Sequence, residues 1–121
     1  MADSKLMIVD DAPFMRMVLR HLAFQASWTS VVEAANGTDA IQLFEDVRPN
    51  VVLLDIEMPG SDGLTVLQRI RGIDKTCHVA MLSAQDHKEK VQEALAKGAS
   101  EFIPKPFDHA KMLSFMMHWK K

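Results

Sequence analysis

Five residues of the chain have the types needed to handle a phosphoryl group, and each follows or closes an apolar run. Asp10 and Asp11 follow Lys5 to Val9, Asp55 follows Val51 to Leu54, Ser83 closes His78 to Ser83, and Lys105 lies just past Glu101 to Ile103. Three carboxylates brought together repel one another unless a cation neutralises them, and hard oxygen ligands with room for water suit Mg²⁺ or Mn²⁺. With a lysine and a hydroxyl beside them, the cation and Lys105 would screen the phosphoryl oxygens and Ser83 would donate a hydrogen bond. A carboxylate can then serve as covalent nucleophile. Asp55 alone carries little, because Asp is common in turns and Pro59-Gly60 forces one just beyond it. The ordered set carries the reading.

The elements that must position this set alternate. Val51 to Leu54 has no polar alternation, as expected of a strand covered on both faces. Strands are expected at 5–9, 29–34, 51–54, 78–83 and 101–103, and helices at 12–26, 38–47, 63–71, 86–97 and 107–119. Pro13 suits a first helical turn that Asp11 could cap, and Gly98 suits the left-handed position past a helix end. Met15, Leu19, Leu22 and Ala26 share one face of the first helix. Ala40, Leu43, Phe44 and Val47 share one of the second, and Leu64, Leu67 and Ile70 one of the third. Strand and helix alternating five times imply an α/β fold with a doubly wound parallel sheet. Right-handed crossovers then bring every strand's C-terminal end, and with it the polar set, to one edge.

Composition narrows the classes. A length of 121 residues suits one domain, so 1–121 is expected to be a single unit without an output domain. A net charge of -2 argues against a nucleic-acid binder driven by a basic surface. One cysteine cannot form an internal disulfide, and no segment has the form of a signal peptide or membrane span. The expected location is cytoplasmic, and the scattered histidines are expected on surfaces.

The segments I-V-D-D (8–11), L-L-D-I-E-M-P-G-S-D-G (53–63), L-S-A (82–84), A-L-A-K-G-A (94–99) and F-I-P-K-P-F (102–107) are specific as a set. The chain resembles, over essentially its whole length, the receiver domain of two-component response regulators, and in particular the single-domain, chemotaxis-type members. That resemblance implies a flavodoxin-like fold with strand order 2-1-3-4-5 and five helices. It implies that Asp55 is the phosphoacceptor for a histidine kinase phosphohistidine. Asp11 would ligate the metal directly, Asp10 largely through water, and Glu57 through its main-chain carbonyl. Lys105 and Ser83 would contact the phosphoryl group, the Lys105–Pro106 bond would be cis, and Ser83 and Phe102 would move on switching. The implied role is a phosphoacceptor signalling protein rather than an enzyme. A downstream target such as a flagellar motor component, and a phosphatase, are the further partners.

Three positions depart from the usual pattern. Phe102 stands where a tyrosine is common and lacks the phenolic hydroxyl, Ser83 replaces threonine, and Pro104 precedes Lys105 either as added rigidity or as a neutral feature. Glu57 and Gln85 lie where the family tunes acyl phosphate lifetime, and Glu57 could also be a solvated loop carboxylate. Within the class, a phosphate sink or a relay shuttle are alternatives to motor signalling. Outside it stand a haloacid-dehalogenase-type phosphatase, disfavoured because Glu57 replaces its second Asp, and a docking module that never phosphorylates. In the last helix, Ala110, Leu113 and Met117 are expected to face the sheet. Met112, Phe115, Met116 and Trp119 form a second stripe, either core or a docking face.

Overall fold

The computed structural model describes residues 4–84 and 88–120. Its elements are β1 (Lys5–Val9), α1 (Pro13–Gln25), β2 (Ser30–Ala34), α2 (Gly37–Val47), β3 (Val51–Asp55), β4 (Glu57–Met58), β5 (Ser61–Asp62), α3 (Gly63–Ile73), β6 (His78–Ala84), α4 (Lys88–Ala96), β7 (Glu101–Lys105) and α5 (His109–Trp119). The main sheet is five-stranded and parallel, in the order β2-β1-β3-β6-β7. With the short antiparallel pair β4–β5 set aside, this is the expected 2-1-3-4-5 order.

Strand β3 is buried at every position, and its alternation feeds two cores. Val51 and Leu53 pack with Leu6, Ile8, Ala80 and Leu82 under α1 and α5. Val52 and Leu54 pack with Met7, Val9, Val79 and Met81 under α2, α3 and α4. Each fully buried Leu, Ile or Met contributes about 1.5–3 kcal/mol, so the cores dominate stability and fix the strand register. Trp28 is buried where α1 and α5 meet and donates from Nε1 to the Met116 carbonyl at 2.8 Å.

Several expectations shift. Pro13 does open α1, but the N-cap is Ala12 with no side-chain cap, and its N–H is taken by Asp10 Oδ1 at 2.9 Å, so Asp11 is not the cap. Strand β7 runs two residues further than expected and includes Pro104, which an edge strand tolerates because it can lack a ladder donor. Helix α5 starts at His109, with Asp108 capping Ala110 N at 2.8 Å. The expected start of the fourth helix at Asp86, and residues Gln85 and His87, lie outside the described residues. His78 is not a free surface histidine: its Nε2 pairs with Glu101, which also accepts from Trp119 Nε1 at 2.7 Å. Cys77 is buried, and burial pushes its thiol up to about 12, so it stays neutral.

The largest correction is the rotation of α5. Met112 and Met116 are fully buried, Leu113, Phe115 and Trp119 are half-buried, and Ala110 and Met117 face solvent. The stripe considered for docking therefore contains the core contacts, because α5 must cover Trp28 and Ile103. Met112→Ala should lower unfolding free energy in urea by about 2–5 kcal/mol, while Met117→Ala changes it by about 0.5 kcal/mol or less. Equal small losses would place Met112 outside the packed core.

Candidate functional site

Parallel pairing sets the site. Val9 lies opposite Leu54 in the β1–β3 register, so the next residues, Asp10 and Asp55, emerge side by side at the C-terminal edge. Asp10 and Asp55 are each 2% exposed, whereas Asp11 is exposed. One carboxylate oxygen from each of Asp10, Asp11 and Asp55 lies within 4.8 Å of the other two. Asp10 Oδ1 holds the Ala12 N–H, but Asp10 Oδ2 is buried without a hydrogen-bond partner among the described residues. A buried carboxylate oxygen left this way is costly, and its lone pairs fit a hard cation. The donor set is thus suited to Mg²⁺ or Mn²⁺.

Asp55 receives two donors on Oδ1, from Lys105 Nζ at 2.8 Å and from the Glu57 main-chain N–H at 3.1 Å. Lys105 reaches it from the edge strand, where the register sets Pro104 opposite Ser83 and Lys105 opposite Ala84. Burial raises the Asp55 carboxyl to about 6, with the charge of Asp10 adding to the rise and the Lys105 ammonium opposing it. Burial also raises Asp10, aided by Asp11 and opposed by the Ala12 N–H, Lys105 and Arg16. The Lys105–Pro106 bond is cis, as the resemblance implied.

Ser83 is fully buried at the end of β6, and its hydroxyl donates to Glu57 Oε2 at 2.7 Å. The Ala84 N–H is bonded to Glu57 Oε1 at 3.2 Å. Glu57 is half-buried, so the alternative of a solvated loop carboxylate does not hold. Phe102 is half-buried and lines a groove with Lys88, Val91, Gln92 and Pro104.

Two supporting residues escaped the sequence reading. Arg16 donates from Nη1 to the Asp10 carbonyl at 2.7 Å while its Nε pairs with Glu33 at 3.3 Å, anchoring the acidic turn to α1 and β2. Its place one turn into α1 was a signal only in retrospect. Gly63 opens α3 against the end of β3, where a Cβ would stand 2.6 Å from the Asp55 carbonyl oxygen and 2.7 Å from Ile56 Cα. The G that ends L-L-D-I-E-M-P-G-S-D-G therefore permits a close backbone approach behind the site.

Comparison with known proteins agrees with this geometry. The response regulator receiver domain family matches residues 6–116. The chemotaxis protein CheY of Listeria monocytogenes is 41% identical over 109 residues, covering 90% of this chain and 92% of that protein. The Bacillus subtilis CheY is 38% identical, covering 90% and 91%. Sporulation initiation phosphotransferase F of B. subtilis is 35% identical, covering 89% and 86%. The fold superimposes on Vibrio cholerae chemotaxis protein CheY4 with a TM-score of 0.86 at 28% identity, covering 97% of this chain and 98% of that one. Among the described residues no helix is long and apolar enough to cross a membrane. With the family matched across nearly all of the sheet and the acidic cluster at the expected edge, the chain belongs to the receiver domain family of response regulators.

Proposed function

We propose that Asp55 accepts a phosphoryl group from the phosphohistidine of a histidine kinase, and that the acyl phosphate changes which partners the protein binds. The observation that carries this reading is an Asp55 oxygen 2.8 Å from Lys105 Nζ, in a cluster with Asp10 and Asp11. An Asp55 oxygen attacks phosphorus in line with the leaving nitrogen. The P–O bond forms as the P–N bond breaks, and the electron pair stays on the imidazole nitrogen. Lys105 turns from the carboxylate toward the phosphoryl oxygens, and Ser83 donates to one of them. Phe102 follows inward from its groove. Asp10, Asp11, Asp55 and the Glu57 main-chain carbonyl would hold Mg²⁺ or Mn²⁺. When bound, the ion supplies positive charge that screens the carboxylates and the phosphoryl oxygens.

The added ~1.5–2 negative charges bias a two-state surface around Phe102 and α4, and partner affinity follows that bias. Relatives named chemotaxis proteins support a role in chemotaxis signalling. Within that role, a flagellar motor component is the proposed target and a phosphatase the proposed terminator. The likeness to a sporulation phosphotransferase supports a second reading, a shuttle or sink that passes phosphate on.

Three outcomes test this. Wild-type protein treated with acetyl phosphate and Mg²⁺ should gain one phosphoryl group by intact mass, and Asp55→Asn none. Uptake by that variant at the wild-type rate would remove Asp55 from the nucleophile role. Mg²⁺ affinity measured by calorimetry should fall on the order of ten-fold or more in Asp11→Ala. It should also weaken in the wild type as pH drops below about 6, where a proton on Asp55 competes with the ion. An affinity unchanged by both would sink the shared carboxylate site. Because the folded-state value of Asp55 lies above its unfolded one, its protonation favours the fold at low pH. That contribution is lost as pH rises through about 6. In chelator-treated protein at neutral pH, Asp55→Asn should therefore be more stable than wild type, by up to about 3 kcal/mol. A variant no more stable than wild type at pH 7 would show that Asp55 bears no such burial penalty.

A further inference from the structure

We infer that the Glu57 carboxylate is a built-in occupant of the place where phosphoryl oxygens are received. It is a positioning residue that holds the end of β6 in its resting state until it is displaced. The inference rests on the reading of Asp55 as phosphoacceptor and specifies how the switch is held off.

The described residues at the end of β6 offer two donors for an anion near Asp55, the Ser83 hydroxyl and the Ala84 N–H. Glu57 takes both, one on each carboxylate oxygen, at 2.7 and 3.2 Å. Ser83 is fully buried, so its hydroxyl has no water to turn to, and its single proton cannot serve Glu57 and a phosphoryl oxygen at once. The same residue donates its main-chain N–H to Asp55 Oδ1 at 3.1 Å. Glu57 thus spans the attacking carboxylate and the switch hydroxyl, and β4 sets it there just after β3. A phosphoryl group on Asp55 brings ~1.5–2 negative charges toward a carboxylate already bonded to the donors it needs. The two anions repel and compete, so occupancy of Ser83 and Ala84 passes from Glu57 to the phosphoryl oxygens. Releasing Glu57 opposes switching, which keeps the unphosphorylated protein firmly in the resting state.

The test uses the full chain with Mg²⁺ and beryllofluoride as phosphoryl probe, together with amide exchange in metal-free protein. Removing the latch by Glu57→Ala should speed Ala84 amide exchange and raise beryllofluoride affinity by about ten-fold, the scale of hydrogen bonds to a charged group. Glu57→Asp keeps the charge but is one methylene too short to reach both donors, so it should show most of the same gain. The gain should shrink when Glu57→Ala is made in the Ser83→Ala background. A gain equal in both backgrounds, with Glu57→Asp behaving as wild type, would mean plain charge repulsion and overturn the latch. An Ala84 amide that exchanges alike in wild type and Glu57→Ala would overturn it as well. Failure of wild type and every variant to bind beryllofluoride would instead overturn the phosphoacceptor reading, and the latch's role with it.

Discussion

Two carboxylates taken out of water side by side, Asp10 and Asp55, are the constraint on which the rest of this structure turns. Desolvation and mutual repulsion both oppose their ionisation, as the raised value of Asp55 registers. The Lys105 ammonium at 2.8 Å and the Ala12 and Glu57 N–H groups offset part of that cost. A buried ion pair of this kind adds little net stability. What it does is make the pocket respond to charge, because any cation or phosphoryl group entering it changes a balance already close.

Holding such a pocket requires strands that do not slip. A shift of one residue in β3 would exchange Leu53 and Leu54 between opposite cores and draw Asp55 into the sheet interior. The sheet therefore resists slipping through apolar packing far larger than the electrostatic terms at its edge. Close approach of α3 at Gly63 backs the same turn, and Arg16 ties the Asp10 carbonyl to α1. At the far side, Arg71 fastens the chain around β6 by donating to the Cys77 carbonyl at 2.6 Å and the Gly98 carbonyl at 2.8 Å. The rigid parts thus enclose the end of β6, where Ser83 and Ala84 are held by a side chain rather than by the ladder alone.

Strand β7 joins the pocket to the surface. Its register sets Pro104 beside Ser83, and two residues earlier Phe102 lies in a groove shared with α4. On the proposed switching, a displacement at Ser83 would reach Phe102 along one strand edge. Without a phenolic hydroxyl, this ring offers only apolar contact to whatever covers its groove.

The chain alone determined the strand and helix alternation and the residues gathered at one sheet edge, while the 2-1-3-4-5 order came from the family resemblance of its motifs. Right-handed crossovers between alternating strands and helices put every strand's C-terminal end on one edge, while leaving more than one strand order open. Element ends shifted by a residue or two, because caps depend on which side chain reaches which N–H. Asp10, not Asp11, takes the Ala12 N–H for that reason. The face of α5 was not legible, since a helix apolar on two sides carries the periodicity of both, and only Trp28 and Ile103 beneath it select Met112 and Met116. The direction of Glu57 was equally closed to sequence reading. Its partners, Ser83 and Ala84, lie 26 and 27 positions away and meet it only because β3 and β6 are neighbours in the folded sheet.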